Sequence, residues 1–408
     1  MNCARIKKTI LYWLDNNSLA QIITSFLWLG LTAFGGPIAH IGYFRQEFVI
    51  RRKWCDEETY INIVALCNFL PGPASSQVGM LLGFMRSGML GAIVAWCCFT
   101  LPSAIILIIF AIFYSDKTDG LDYEWIHGLK LVAVAVVAQA VIGMALNKIQ
   151  ELRNTLPIFF ALFLCIFFPS KISQFIVLLC GAMYGATFLI GTTSNRSIKI
   201  PIKISKWLAR VSAVIFAGLI IISLFIIQFS HNVMIKILAD IFVVGASVFG
   251  GGHVVLPMLQ QAIVANGIIT NEKFLVGYGL AQAVPGPLFT FSAYLGSVIA
   301  QYPYNTIYGL LCLIAIFIPS FFLIFTIVPV WNAIQDNKRV QAAINGIQCV
   351  VIGILAAALY NPVYLTAVKS NRDNMLVAFM IVLLIYIKVP SFIIVLIGMM
   401  GGILMARL

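Results

Sequence analysis

The residues of this chain best suited to hold a small anion are Pro71-Gly72-Pro73 and Pro285-Gly286-Pro287. Proline lacks an amide hydrogen and clashes with the preceding helical turn, and glycine adopts backbone angles that other residues avoid. Each tripeptide therefore stops one helix and starts another. A helix that starts afresh presents unpaired N–H groups and about half a positive charge. Such an end can take an oxyanion without a cationic side chain. Pro73 reads as the first helical residue, followed by Ala74, Ser75, Ser76 and Gln77, whose amides and hydroxyls could face oxyanion oxygens. Leu288, Phe289 and Thr290 follow the second copy, so the first is expected to supply more of the polar contacts. Each copy also has an upstream companion, Phe34-Gly35-Gly36 or Phe249-Gly250-Gly251, at 37 and 36 residues from Phe to first Pro. Gly35-Gly36-Pro37 and Gly250-Gly251-Gly252 offer exposed amides of the same kind. A single such break is ordinarily a kink in a membrane helix. Four breaks paired across two halves point instead to a site.

Other polar residues gather around these breaks. Asn68 and Gln282 each stand three residues before a Pro-Gly-Pro, one helical turn away, and are the preferred neutral donors. His40 and His253 both follow a Gly-rich break. Each is either a packed hydrogen-bonding residue or an anion or proton ligand, since histidine titrates near neutral pH. The charged candidates for attraction or coupling are Arg45, Glu58, Arg86, Lys130 and Asp240. For Arg86 and Lys130 the ordinary reading is snorkelling to the membrane interface. Asp240 lies about 13 Å before Phe249 along a helix, and reads as a residue at the membrane edge rather than a buried proton carrier. Asp56, Glu57 and Glu58 adjoin Arg51, Arg52 and Lys53 and read as a solvated loop or helix cap.

The elements that must position these residues are membrane helices. Of 408 residues, 61% are hydrophobic and only 10% charged, with a mean hydropathy of +1.00. Soluble proteins carry about 25% charged residues. Apolar runs near the length needed to cross a core of about 30 Å recur along the whole chain. The net charge of +12 fits the excess of Lys and Arg in cytoplasmic loops and gives no reason to invoke nucleic acid. Nine cysteines sit mostly inside apolar runs without a Cys-x-x-Cys pair, so they read as small buried hydrophobes rather than disulfides or metal ligands. No nucleophile elbow, zincin motif or phosphate-binding P-loop occurs. The chain is therefore expected to be no enzyme and to need no cofactor or metal.

The organisation is a duplication. Residues 1–18 read as a cytoplasmic segment without a cleavage pattern, 19–190 as a first repeat, 191–210 as a basic linker, and 211–408 as one extra helix plus a second repeat. Pro102-Ser103 and Pro319-Ser320 lie 31 and 34 residues after their Pro-Gly-Pro, and Glu58 and Glu272 each lie 13 before it. Loop charge fixes orientation. The linker and the loop Arg45–Lys53 are basic, and the loop 115–124 is acidic. The bias reverses in the second half, apart from Lys369 and Arg372, and so predicts an inverted repeat. The basic N-terminus, the Arg45–Lys53 loop and Arg86 then share a side. The segments between them must enter and return, folding at Gly35-Gly36-Pro37 and at Pro71-Gly72-Pro73. The fold class expected is thus all-α: a polytopic integral membrane protein of two inverted-topology repeats with broken or re-entrant helices.

At these residues the chain resembles the chromate ion transporter family in its long, two-domain form. The resemblance rests on Phe34-Gly35-Gly36-Pro37-Ile38-Ala39-His40-Ile41-Gly42-Tyr43-Phe44-Arg45 and Ala65-Leu66-Cys67-Asn68-Phe69-Leu70-Pro71-Gly72-Pro73-Ala74-Ser75-Ser76-Gln77. It rests equally on Phe249-Gly250-Gly251-Gly252-His253 and Leu280-Ala281-Gln282-Ala283-Val284-Pro285-Gly286-Pro287-Leu288-Phe289-Thr290. Asn68 stands where the family pattern suggests Gln. The resemblance implies efflux of chromate across the cytoplasmic (inner) membrane, driven by the membrane potential or ion gradients. Exchange with sulfate, a similar tetrahedral dianion, is compatible with it. The partners it implies are a chromate or sulfate-like oxyanion and the lipid bilayer, with a homodimer as the open assembly. Transport of another oxyanion on the same architecture, or a passive anion channel, are the competing readings. A lipid-head-group enzyme would need His, Asp or Ser clustered at one interface, and the sequence shows no such cluster.

Overall fold

The computed structural model describes residues 17–115, 124–146, 148–190, 202, 204–300, 303–335 and 337–407. The N-terminal segment, the acidic stretch 116–123 and most of the linker lie outside the described residues, and with them the side assigned to each. Among the described residues the chain is helical throughout, and six helices are long and apolar enough to cross a membrane.

Helix α1, Ser18–Thr32, is capped by the Asn17 side chain and ends where Gly35 (φ 104°) and Gly36 (φ 76°) turn the backbone. The chain resumes as α2, Gly36–Phe44, and a wider π turn, Arg45–Arg51. The rings of Phe26 and Phe48 stack at 4.8 Å between centroids. One continuous helix would hold those residues about 33 Å apart, so the chain reverses at the glycines. Helix α3, Glu57–Phe69, is capped by Asp56, whose side chain accepts from the Thr59 amide. It runs to the Pro71-Gly72-Pro73 tip, and α4 (74–86) returns from there. Ser87 and Gly88 leave helical geometry, and α5 (89–115) then runs back alongside α4. A side-chain carbon on Gly91 would collide with the Gly83 carbonyl, so the two helices cross at glycine contact. Ser18 and Ser87 share a hydrogen bond of 2.7 Å, and Arg86 bonds Gln21 at 2.8 Å beside Trp54. The start of α1, the end of the first hairpin and Arg86 therefore lie on one face, called the basic face here. This is the double re-entrant arrangement expected from the loop charges.

Helix α5 spans about 40 Å, so α6, Glu124–Leu146, begins on the opposite face. Helices α7, Leu152–Phe167, and α8, Lys171–Phe188, follow, and then the extra helix α9, Lys206–Phe229, which is exposed along most of its length. The second half repeats the plan. Helix α10, Val233–Ser247, breaks at Gly250-Gly251 and returns through Gly252–Val254, α11 (Val255–Leu259) and a π turn, Gln260–Val264. Helix α12, Asn271–Ala281, leads to the second tip, and Leu288–Thr290 with α13, Phe291–Ile299, returns from it. Then come α14, Asn305–Ile327; α15, Lys338–Ala358; α16, Asn371–Val382; and α17, Ser391–Arg407. Glu57 at the start of α3 pairs with Arg45 on the basic face, whereas Glu272 at the start of α12 lies 3.6 Å from Lys130 near the start of α6. Equivalent helices begin on opposite faces, so the second repeat is inverted.

The halves also exchange their last helices. Helices α16 and α17 of the second half pack on α6 of the first, and α7 and α8 of the first pack on α15 of the second. Glycine permits both contacts: a side chain on Gly128 would strike the Gly398 carbonyl, and one on Gly346 the Gly181 carbonyl. Small residues that let backbones touch are the usual device for joining helices within lipid.

Candidate functional site

Each broken segment is fastened to the opposite repeat. The Gly72 amide donates to the Val248 carbonyl at 2.7 Å, just before Phe249-Gly250-Gly251. The Gly286 amide donates to the Ala33 carbonyl at 3.0 Å, just before Phe34-Gly35-Gly36. The two bonds are equivalent under the internal two-fold. Both glycines have positive φ, 113° and 104°, which side chains disfavour. A carbon added at Gly72 would stand 2.7 Å from Ser320 Oγ, and one at Gly286 2.8 Å from Ser103 Oγ. The Pro-Ser pairs of α5 and α14 thus each close over the other half's tip. A carbon at Gly252 would reach Leu288 at 3.3 Å and Pro37 at 3.5 Å, so all four breaks meet at one junction.

The first tip keeps free polar groups. Pro73 takes the N-cap position, its carbonyl accepting from the Gln77 amide at 3.0 Å, so the helix starts one residue later than the sequence suggests. Gln77 turns its amide nitrogen back to the Pro71 carbonyl at 2.8 Å and to Ser320 at 3.3 Å. Its Oε1, the Ser76 hydroxyl, the Thr100 hydroxyl and Gln282 Nε2 are buried without a protein partner among the described residues. Buried polar atoms rarely stay unpaired, and these flank the tips. In the second tip the Thr290 hydroxyl is spent on the Pro287 carbonyl at 2.7 Å and that of Ser292 on the Phe289 carbonyl at 2.8 Å. Asn68 is exposed, whereas its counterpart Gln282 is buried.

The histidines both follow a Gly-rich break but are not equivalent. In the register of the two Phe-Gly-Gly breaks His253 matches Ile38, and His40 matches Val255. Buried His40 bonds the Ala33 carbonyl through Nε2 at 3.1 Å and Ser75 through Nδ1 at 3.3 Å. Because the carbonyl only accepts, Nε2 carries the proton and Nδ1 accepts from the serine hydroxyl. His40 therefore ties the first break to the first tip, and Ser75 is committed to it. His253 pairs with the Tyr278 hydroxyl at 2.8 Å.

The charged candidates stand away from the junction. Arg45 pairs with Glu57 at 2.6 Å and Arg86 holds Gln21 on the basic face. Lys130 is buried and shares Glu272 with Lys369, at 3.6 and 3.4 Å. Asp240 is buried and paired at 2.7 Å with Lys171, the first residue of α8. Glu58 is exposed on α3. Among the described residues no group of His, Cys, Asp and Glu could hold a metal. Sequence reasoning overlooked Ser103, Ser320, Lys171, Tyr278 and Thr100. The matched spacing of Pro102-Ser103 and Pro319-Ser320 was the available signal for the first two.

Comparison with known proteins agrees with this duplicated geometry. The family described as "Chromate transporter" matches residues 20–186 and again 235–403. An uncharacterized transporter of Methanocaldococcus jannaschii is 26% identical over 95% of this chain and 94% of its own. A protein named as a probable chromate transport protein in Synechococcus elongatus is 28% identical over 84% of both chains. A chromate transport protein of Pseudomonas aeruginosa is 24% identical over 86% of this chain and 82% of its own. No solved structure matches the chain.

Proposed function

The chain belongs to the chromate transporter family, and on that premise we propose that it is a secondary transporter carrying chromate across the cytoplasmic membrane. The observation that carries the reading is the junction where four broken segments meet, each tip bonded to the opposite break. No backbone of this kind survives in lipid unless protein or a wet cavity covers it. Arg45, Arg86, Lys130 and Asp240 are engaged elsewhere and Glu58 stands at the far end of α3, so the ion is held by neutral dipoles: the first-turn amides of α4 and the Ser76, Gln77, Thr100 and Gln282 groups. Such a set reads shape and charge rather than the central atom. Sulfate therefore competes, and exchange of sulfate for chromate is one way the cycle is driven. Efflux is the direction expected, powered by the membrane potential, by protons or by the countersubstrate. The test is counterflow in proteoliposomes holding the purified protein. Unlabelled chromate or sulfate inside should draw labelled sulfate in. Anion currents without counterflow would make the protein a channel, and no movement of either ion would sink the reading.

A further inference from the structure

We propose that Glu58, Ile61, Ala65 and Asn68, one face of α3, line an aqueous route for the oxyanion between the basic face and the junction. Glu58 and Lys148 close it in the opposite state of the cycle. The inference rests on the transport reading above and deepens it. All four residues are exposed, Ile61 at 53%. Asn68 lies about 17 Å along α3 from the basic face, near the middle of a core of about 30 Å. A free amide at that depth belongs against water, because lipid cannot satisfy it. Helix α2, joined to α3 by the Tyr60 hydroxyl on the Ile41 carbonyl, is open as well: Ile38 is 89% exposed.

The matching face of α12 is covered beyond its first turn, where Glu272 stays half exposed. It holds Glu272, Leu275, Gly279 and Gln282, each 214 residues further on. Leu275 is fully buried and Gln282 is 8% exposed. Gly279 presses on the Leu129 carbonyl of α6, and Glu272 is clamped between Lys130 and Lys369. The structure is thus open along α3 toward the basic face, whereas the path along α12 is closed below the vestibule at Lys130 and Glu272. The closed side shows what closure requires, a helix-start carboxylate seated on lysines beside the long helix of the other half.

On the basic face those parts are present but separated. The Glu58 carboxylate has no partner among the described residues. Gln348 on α15 stands where Lys130 stands on α6, taking Gly128 and Gly346 as equivalent. Lys148, from the turn after α6, already reaches Asn345 and Gln348. Swinging α3 onto α15 would bring Glu58 to Lys148 as Glu272 now meets Lys369.

The test uses the full chain in proteoliposomes, treated with a membrane-impermeant methanethiosulfonate bearing a sulfonate. Peptide-resolved mass spectrometry scores the native cysteines separately. Ile61→Cys and Ala65→Cys should react at least tenfold faster than Leu275→Cys and than Phe163→Cys, an exposed position on α7. Equal rates at Ile61→Cys and Leu275→Cys, or at Ile61→Cys and Phe163→Cys, overturn the route. For the closure, Glu58→Lys and Lys148→Glu should each cut counterflow at least tenfold in protein that still inserts, and the double variant should recover most of it. Full activity in the single variants, or no recovery in the double, overturns the pair. Labelling does not depend on which ion moves. Asymmetric labelling without chromate or sulfate counterflow would refute the function and leave the route standing, and counterflow with symmetric labelling would do the reverse.

Discussion

Gly72 and Gly286 have identical roles on opposite sides of one junction, and their backbone angles exclude side chains. Gly72→Val and Gly286→Val should each reduce counterflow to background while membrane yield is kept, since the clashes are confined to the tips, with Ser320 and Gln77 at the first and with Ser103 and the Phe99 carbonyl at the second. Normal transport by both variants would remove the junction from the mechanism. Ser76 and Ser292 make a sharper pair. The Ser76 hydroxyl is buried and unpartnered, whereas that of Ser292 is already satisfied by backbone. Ser76→Ala should raise the KM for the oxyanion about tenfold, the equivalent of one hydrogen bond near 1.4 kcal/mol. Ser292→Ala should leave KM unchanged and lower thermal stability instead. A KM unmoved by Ser76→Ala would take that hydroxyl out of the site. At this scale the sequence was informative wherever covalent chemistry decides, because Pro and Gly dictate backbone geometry wherever they stand. It was silent where packing decides. Nothing local said that Ser75 would be taken by His40, or that Gln77 would turn back to the Pro71 carbonyl.

Among the elements, the hairpins were legible because two independent signals agreed. Pro-Gly and Gly-Gly breaks marked the turns, and Arg45, Arg51 and Arg86 marked a shared face. Glu272 and Asp373 show what charge alone did not reveal. They lie on the face opposite the basic loops, next to Lys130, Lys369, Arg372 and His127, and the positive charge that Lys369 and Arg372 bring there is matched by these acids. Lys130 and Lys369 hold the Glu272 carboxyl below its ordinary value against some burial. Burial also opposes ionisation of Asp373, but the His127 bond and the Lys369 and Ser370 amides outweigh it and hold its pKa down. Both pKa values are depressed in the folded state. Their stabilisation is therefore complete above the ordinary carboxylate values of 4.5 and 3.8 and is lost as pH falls below them. The melting temperature of purified protein should fall between pH 5 and about pH 3. Glu272→Gln with Asp373→Asn should flatten that fall. An unchanged acid limb in the double variant would show that the cluster does not hold the elements together.

The molecule as a whole is less divisible than its sequence. The duplication is plain from spacing, yet the halves are interleaved, and hydropathy cannot report which neighbour an apolar face will choose. Helices α7 and α8 find their main surface on α15, and α6 finds its own on α16 and α17. Rocking one sequence half against the other as a rigid body would tear these contacts. In the proposed transport cycle the moving body is therefore drawn across both halves, with the exchanged helices as one part and the re-entrant hairpins as the other. The same interleaving makes each half incomplete alone. Separated, α15 would expose the glycine face that now meets Gly181 and Gly185, and α6 the face that meets Gly398 and Gly402. Expressed singly, residues 1–190 and 205–408 should each be degraded or aggregate in the membrane. Expressed together, they should co-purify and restore counterflow, because the contacts that join them do not run through the linker. A stable, folded single half, measured by protease resistance in membranes, would contradict the exchange and return the molecule to two self-sufficient domains.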